Sequence, residues 1–366
     1  MESLQQKRYT KTMRILFVEG YPLHHDNWFS QPLRTMLEAV SPNDVCAVYG
    51  SENRRYKVKL YNAVQQNGFF YREGKPGRSY EEDLFSSGYS RRSFLQKDIG
   101  VLNNVIETFA PDLIIDFGRI STSVCARKQG VPYRTFVCGA MYRKHSSRPE
   151  YLKELNRILS DNGLEQILRL SDLNAAADTL YAFGTLNTDP LPEELNVTRV
   201  GGSLMRDTTE DTANSISIIL PSASMRTSKL NRIIRDTFLG APYTVTVHLS
   251  QKYPESGNLA YTGTLKMELL KDRKVIIHDG NLLAYHECIA RGIPQIVIHD
   301  GSWKRSWIAA CCVRNCSGLS IDEEELSVAS LYEAYRRLVS DDYYQRRADW
   351  LKKETASLSR LSDLLK

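Results

Sequence analysis

The strongest constraint on the fold is a pattern that the chain uses twice. In its first half, MRILFVEG (13–20), DVCAVYG (44–50), PDLIIDFG (111–118) and VPYRTFV (131–137) are short apolar runs, and helical periodicity fills QPLRTMLEAV and STSVCARKQG between them. After the polar stretch GSLMRDTTEDTANS the pattern restarts with SISIILP, YTVTVHLS, KVIIHDG and PQIVIHDG, interleaved with KLNRIIRDTFL, LLAYHECIARG and SWKRSWIAACC. A strand without a polar face has no side to offer to water, so it belongs in a parallel sheet covered by helices on both faces. The repetition predicts an α/β chain of two Rossmann-like domains, 13–202 and 215–345, with the polar stretch as linker.

At 366 residues the chain exceeds one ordinary core, and 42% apolar with 25% charged residues excludes the disordered class. The net charge of +5 is spread along the sequence, which favours anionic partners mildly and argues against nucleic acid, whose binding needs a concentrated basic stripe. MESLQQKRYTKT has no apolar segment of the signal-peptide kind, and no run reaches the ~18 apolar residues of a spanning helix. A cytoplasmic protein is expected, with peripheral contact to an anionic membrane face left open. The seven cysteines are an odd number, and Cys311, Cys312 and Cys316 lack C-x-x-C spacing, so reduced structural thiols are expected. Residues 51–95, rich in Tyr, Arg, Lys, Ser and Gly, read as an exposed, substrate-facing insertion.

Chemistry concentrates in VIIHDGNLLAYHECIARGIPQIVIHDG (275–301), which holds three of the seven histidines. His278 and His299 end two strands and His286 lies in the helix between, so no i, i+4 ligand pair arises and no metal site is expected. In open parallel sheets, ligands bind beyond the carboxyl ends of the strands, where both His-Asp-Gly triplets fall. The turn Asp279-Gly280-Asn281 runs straight into a helix, whose first N–H groups and dipole make an anion site. On this reading Gly280 lets the backbone approach a phosphate, His278 holds the turn while donating to a diphosphate oxygen, and Glu287 faces a ribose diol. The plainer alternative is a loop turn with Asn281 as helix cap.

The order of strand, H-x-G, helix with Glu, G-I-P and strand, carried by His278, Gly280, Glu287, Gly292, Ile293 and Pro294, resembles the nucleotide-sugar signature of GT-B glycosyltransferases. It is similar to the UDP-glycosyltransferase group that includes macrolide glycosyltransferases. NVTRVGG and SIDEEELSVASLYEAYRRLVSDDYYQRRA extend the likeness over most of the chain.

The resemblance implies two facing Rossmann-like domains with a cleft between them and a C-terminal helix, 346–366, packing back on the first domain. It implies an inverting, metal-independent transfer from a UDP- or dTDP-sugar to a hydroxyl-bearing small-molecule or lipid acceptor, by a monomer or a homodimer, without a bound cofactor. In G-Y-P-L-H-H-D-N, His25 takes the place of the family's general base, with His24 as the adjacent alternative and Asp116 as the orienting carboxylate. Ser222 and Ser224 fall at the family's donor-phosphate loop, Asp300 and Lys304 near its sugar-reading pair, Arg305 beside them as a further cation, and Tyr261 near its base-stacking residue. Asp279 replaces the second glycine of the signature, and Trp303-Lys304 stands where the family has Asp-Gln. Two other readings remain at this point: a nucleotide-sugar 2-epimerase, and an inactive GT-B relative that binds or scaffolds.

Overall fold

The computed structural model describes residues 12–21, 30–41, 43–51, 57–64, 77–143, 150–201, 215–221, 223–263 and 273–365. Thirteen strands among them form two wholly parallel sheets. The first contains β1 (Arg14–Val18), β2 (Val45–Gly50), β3 (Lys59–Asn62), β4 (Leu113–Asp116), β5 (Tyr133–Phe136), β6 (Thr179–Phe183) and β7 (Val197–Val200), in the order β3-β2-β1-β4-β5-β6-β7. The second contains β8 (Ser215–Leu220), β9 (Thr244–Leu249), β10 (Leu259–Thr262), β11 (Val275–His278), β12 (Gln295–His299) and β13 (Gly318–Asp322), ordered β10-β9-β8-β11-β12-β13. Both orders reverse direction once, between β1 and β4 and between β8 and β11, and such switch points open a crevice at the carboxyl edge.

The strands form where the sequence is apolar on both faces: LIID of β4, SISIIL of β8 and VIIH of β11 are buried at every residue. In the second sheet, Ile216, Ile218 and Leu220 pack with α7 (Thr227–Phe238) and α10 (Val328–Ser340). Ile219 and Ile276 on the opposite face meet Ala284 and Cys288 of α8 (Leu282–Arg291). Outer residues of α8 and of α9 (Trp303–Arg314), among them Leu282, Tyr285, Ile289 and Ile308, join the core of the first half. The halves therefore share a core as well as a linker.

The chain then returns. Helix α11 (Asp342–Thr355) runs unbroken through position 346 and packs along α8; beyond it Ser359 pairs with Val200, and Arg134 Nη1 donates to the Leu364 carbonyl at 3.4 Å.

Residues 77–95 correct the expectation of an exposed insertion over 51–95. They form α2 (Tyr80–Ser86), in which Tyr80, Glu81, Asp83 and Leu84 are buried, and Tyr89 stacks on Tyr21 at 4.5 Å. Tyr80 donates to the Gly118 carbonyl at 3.3 Å, Glu81 accepts from Leu170 N at 3.4 Å and Asp83 from the Trp303 indole at 3.0 Å, so these polar ends are met inside the protein. Of the same segment, 52–56 and 65–76 lie outside the described residues, as does the linker 202–214.

Candidate functional site at the two strand edges

At the carboxyl end of β11, His278 is completely buried. Its Nδ1 accepts the Gly280 N–H at 3.2 Å, so the ring proton sits on Nε2 and is donated to Gln295 Oε1 at 2.8 Å. Burial pulls the imidazole down to about 4, against the opposing pull of the Gln295 bond, and keeps it neutral. In this structure the ring holds the turn and has both nitrogens engaged inside the protein.

Gly280 has φ +76°, and a Cβ on it would stand 2.9 Å from Arg305 Cβ. The glycine thus makes room for α9. Asn281 caps α8, its Oδ1 accepting from Leu283 N at 2.9 Å and Ala284 N at 3.1 Å, which uses two of the N–H groups an anion would seek. Glu287 is fully buried and pairs with Arg291 at 3.3 Å, enclosed rather than facing a ribose.

At the end of β12, Asp300 accepts from Ser302 N at 3.0 Å and pairs with Arg305 Nη1 at 3.0 Å, both side chains buried. Lys304 is half-buried, its Nζ 5.3 Å from the Trp303 ring centre. Ser222 lies outside the described residues, whereas Ser224 gives its N–H and hydroxyl to Glu323, a buried carboxylate that sequence reasoning missed. Tyr261 is buried with its hydroxyl donating to Asn231 at 2.6 Å, which corrects its reading as a stacking platform.

At the edge of the first sheet, Asp116 ends β4 and is enclosed. One oxygen accepts from Arg119 N and Thr122 Oγ1, the other from Gly118 N and Thr135 Oγ1, at 2.7–3.1 Å. Burial raises its pKa, and the two hydroxyls and two N–H groups offset part of the rise. The carboxylate thus organises the start of α4 (Ile120–Gln129). His24 and His25 lie outside the described residues.

Beneath this edge lies a network that no motif announced. Asp98, on α3 (Arg92–Phe109), is fully buried and accepts from Arg119 Nε and Nη2 at 2.9 Å each, Ser121 Oγ and Tyr49 Oη at 2.7 Å, and Tyr21 Oη at 3.2 Å. The Arg119 guanidinium lies over the Tyr21 and Tyr49 rings, 4.6 and 5.0 Å from their centres. It also donates to the carbonyls of Glu19 and Val64, tying together the chain ends that leave β1 and β3.

The two edges meet through aromatic side chains. Tyr80 donates to the Gly118 carbonyl at 3.3 Å and lies 5.1 Å from Trp303, whose indole donates to Asp83 at 3.0 Å. Further along, Trp307 donates to Asp189 at 2.8 Å and Tyr285 to the Thr188 carbonyl at 2.7 Å. Tyr80, Asp116, Arg119, Phe136, Met141 and Asn174 are among the residues lining a cavity of about 20 Å³ at the first edge, room for about one water. Among the described residues no three His, Cys, Asp or Glu side chains gather as a metal-binding group.

By sequence, the chain matches no family model and no curated protein. By structure, it superposes on the spinosyn forosaminyltransferase SpnP with a TM-score of 0.70 at 17% identity, covering 96% of this chain and 97% of that one. The calicheamicin glycosyltransferase CalG4 gives 0.73 at 13%, covering 97% of each chain. The Streptomyces sp. SF2575 glycosyltransferase SsfS6, complexed with thymidine diphosphate, gives 0.68 at 17%, covering 96% and 98%. The chain has the GT-B fold. In this GT-B chain the β8/β11 switch point brings the Ser224 loop and the His278 turn to one edge, while Asp116 stands on the other.

Proposed function

We propose that the protein is a glycosyltransferase that moves a sugar from a nucleoside-diphosphate donor, UDP or dTDP, to a hydroxyl-bearing small-molecule acceptor. The observation that carries this reading is the likeness over nearly the whole chain to glycosyltransferases of the same fold, one of them complexed with thymidine diphosphate. The donor sits at the β8/β11 switch point and the acceptor at the edge of the first sheet. The acceptor oxygen attacks the anomeric carbon as its proton passes to His25. The bond to the diphosphate breaks with inversion, and the electron pair leaves on the phosphate oxygen. Asp116 organises the acceptor edge, and Lys304 with the start of α8 offsets the charge on the leaving diphosphate without a metal ion.

The test is calorimetry with UDP and dTDP, followed by a panel of nucleotide sugars read by mass spectrometry. His25→Ala is expected to lower transfer at least ~100-fold while nucleotide affinity stays near wild type. One set of observations favours a second reading, a GT-B protein that binds without catalysing: His278, Asn281, Glu287 and Asp300 all have partners inside the protein. Nucleotide binding without donor hydrolysis or transfer would select that reading, and binding of neither nucleotide would overturn the donor site itself.

A further inference from the structure

We infer that Glu323 is a positioning residue of the donor site, acting through the loop between β8 and α7; the inference rests on the nucleotide-sugar reading above. Glu323 follows β13, and its N–H donates to the His299 carbonyl at 2.9 Å, which fixes it to the carboxyl end of β12. Glu323 is 5% exposed, and its carboxylate accepts three hydrogen bonds: Ser224 N at 3.0 Å, Ser224 Oγ at 2.5 Å and Met225 N at 2.9 Å. Hydrogen bonds to an ionised acceptor are the strong ones, and a short O–H···O⁻ contact is the shortest kind.

The residues it holds belong to a different part of the sheet. β8 and β13 are separated by β11 and β12, three strand spacings of ~4.8 Å. One carboxylate therefore links the loop on one side of the β8/β11 switch point to the far strand ends on the other. Arg226, the N-cap of α7, makes no side-chain capping bond. Ser224 and Met225 precede that cap, and their N–H groups would turn to water without Glu323. Of the neighbouring carboxylates, Asp300 holds Arg305 and Asp322 holds the Glu324 N–H. Glu323 sets where the β8–α7 loop stands over the crevice, and donor affinity follows from that placement.

Calorimetry with dTDP and UDP on wild type, Glu323→Gln, Glu323→Ala and Ser224→Ala tests this. Glu323→Ala is expected to weaken diphosphate binding about tenfold, Glu323→Gln less because it keeps one acceptor, and Ser224→Ala by at most about threefold because both N–H bonds remain. The double variant should bind no more weakly than Glu323→Ala alone, since both act through one loop. In turnover, donor KM should rise while kcat stays within about twofold, a split that a general loss of stability does not produce. Should Glu323→Ala fail to fold, Glu323→Gln and Ser224→Ala read the same contact. Wild-type affinity in folded Glu323→Gln or Glu323→Ala overturns the inference and leaves the donor reading standing. A wild-type protein that binds neither nucleotide overturns the donor reading first, before any variant is compared.

Discussion

At the carboxyl edge of the first sheet, Arg119 and Asp98 meet as charged groups beneath two tyrosine rings; at the same edge of the second, His278 and Gln295 meet as neutral ones. Both pairs are buried and both fix the ends of strands from which loops depart toward the site. The first spreads its charge: Asp98 has five donors, and the guanidinium has two carbonyls in addition to the carboxylate. The second depends on the direction of its hydrogen bonds, which run from Gly280 N–H into Nδ1, from Nε2 into Gln295, and from the Gln295 amide to Ser317 Oγ at 3.2 Å. A fully partnered ion pair tolerates burial at ordinary pH, whereas a directional neutral chain fails when one proton is added. Similar topology thus gives edges with different weaknesses.

The largest effect should come from breaking the charged edge. Asp98→Ala leaves the Arg119 guanidinium buried without its carboxylate, and one-sided loss of such a pair costs about 3–5 kcal/mol. Urea unfolding should show it, and Asp98→Leu combined with Arg119→Met should recover a large part. A cost no greater for Asp98→Ala than for the double variant would mean that the charges contribute little to holding the edge.

The neutral edge is probed by acid. The folded pKa of His278 is about 4, and the unfolded side chain titrates near 6.5. The unfolded chain therefore takes up a proton below about 6.5 that the folded chain refuses until about 4, so stability is full above 6.5 and falls as pH drops through that window. His286, which burial holds at about 3, adds to the fall. Asp189 opposes it: burial raises its carboxyl to about 6, so the folded state keeps a proton that the unfolded state has released, and its share of stability is lost as pH rises from about 4 to 6. Thermal melts between pH 7 and 4.5 should show His278→Asn less stable at pH 7 but with a shallower acid loss, and Asp189→Asn with a steeper one. Parallel slopes in all three proteins would remove the histidine from the account.

The strand pattern was legible because strands buried on both faces leave a local signature, as in LIID and VIIH. The edges were not legible to the same degree. His278 could be picked out from its position, but its partner Gln295 is 17 residues away and becomes a neighbour only when β11 and β12 pair. Asp98 reads as an ordinary polar position in a helix until Arg119, 21 residues on, is folded against it. Glu323 stands in Asp-Glu-Glu-Glu, a run that reads as solvated charge, and its role depends on Ser224, 99 residues earlier. The burial of α2 follows from contact with Trp303, 220 residues beyond Asp83. Local pattern carries the sheets, and long-range polar partners carry the site.

The smallest effect separates the two edges at their helix starts. Asp116 and Asn281 both organise the helix that follows a strand, but Asp116 is enclosed by four donors while Asn281 stands half-buried with two. Asn281→Ala removes an N-cap and should cost about 1 kcal/mol, and Asn281→Gly only a few tenths, because glycine gives the cap backbone to water. The same pair of variants tells capping from ligand contact. A residue that only caps leaves Leu283 and Ala284 N–H free when it is removed, so dTDP and UDP affinity should hold or rise in Asn281→Gly at nearly unchanged stability. A residue that touches the donor loses affinity in both variants to the same extent, whatever the melts show. Calorimetry on the two variants beside wild type therefore decides whether the start of α8 is closed by its cap or shared with a ligand.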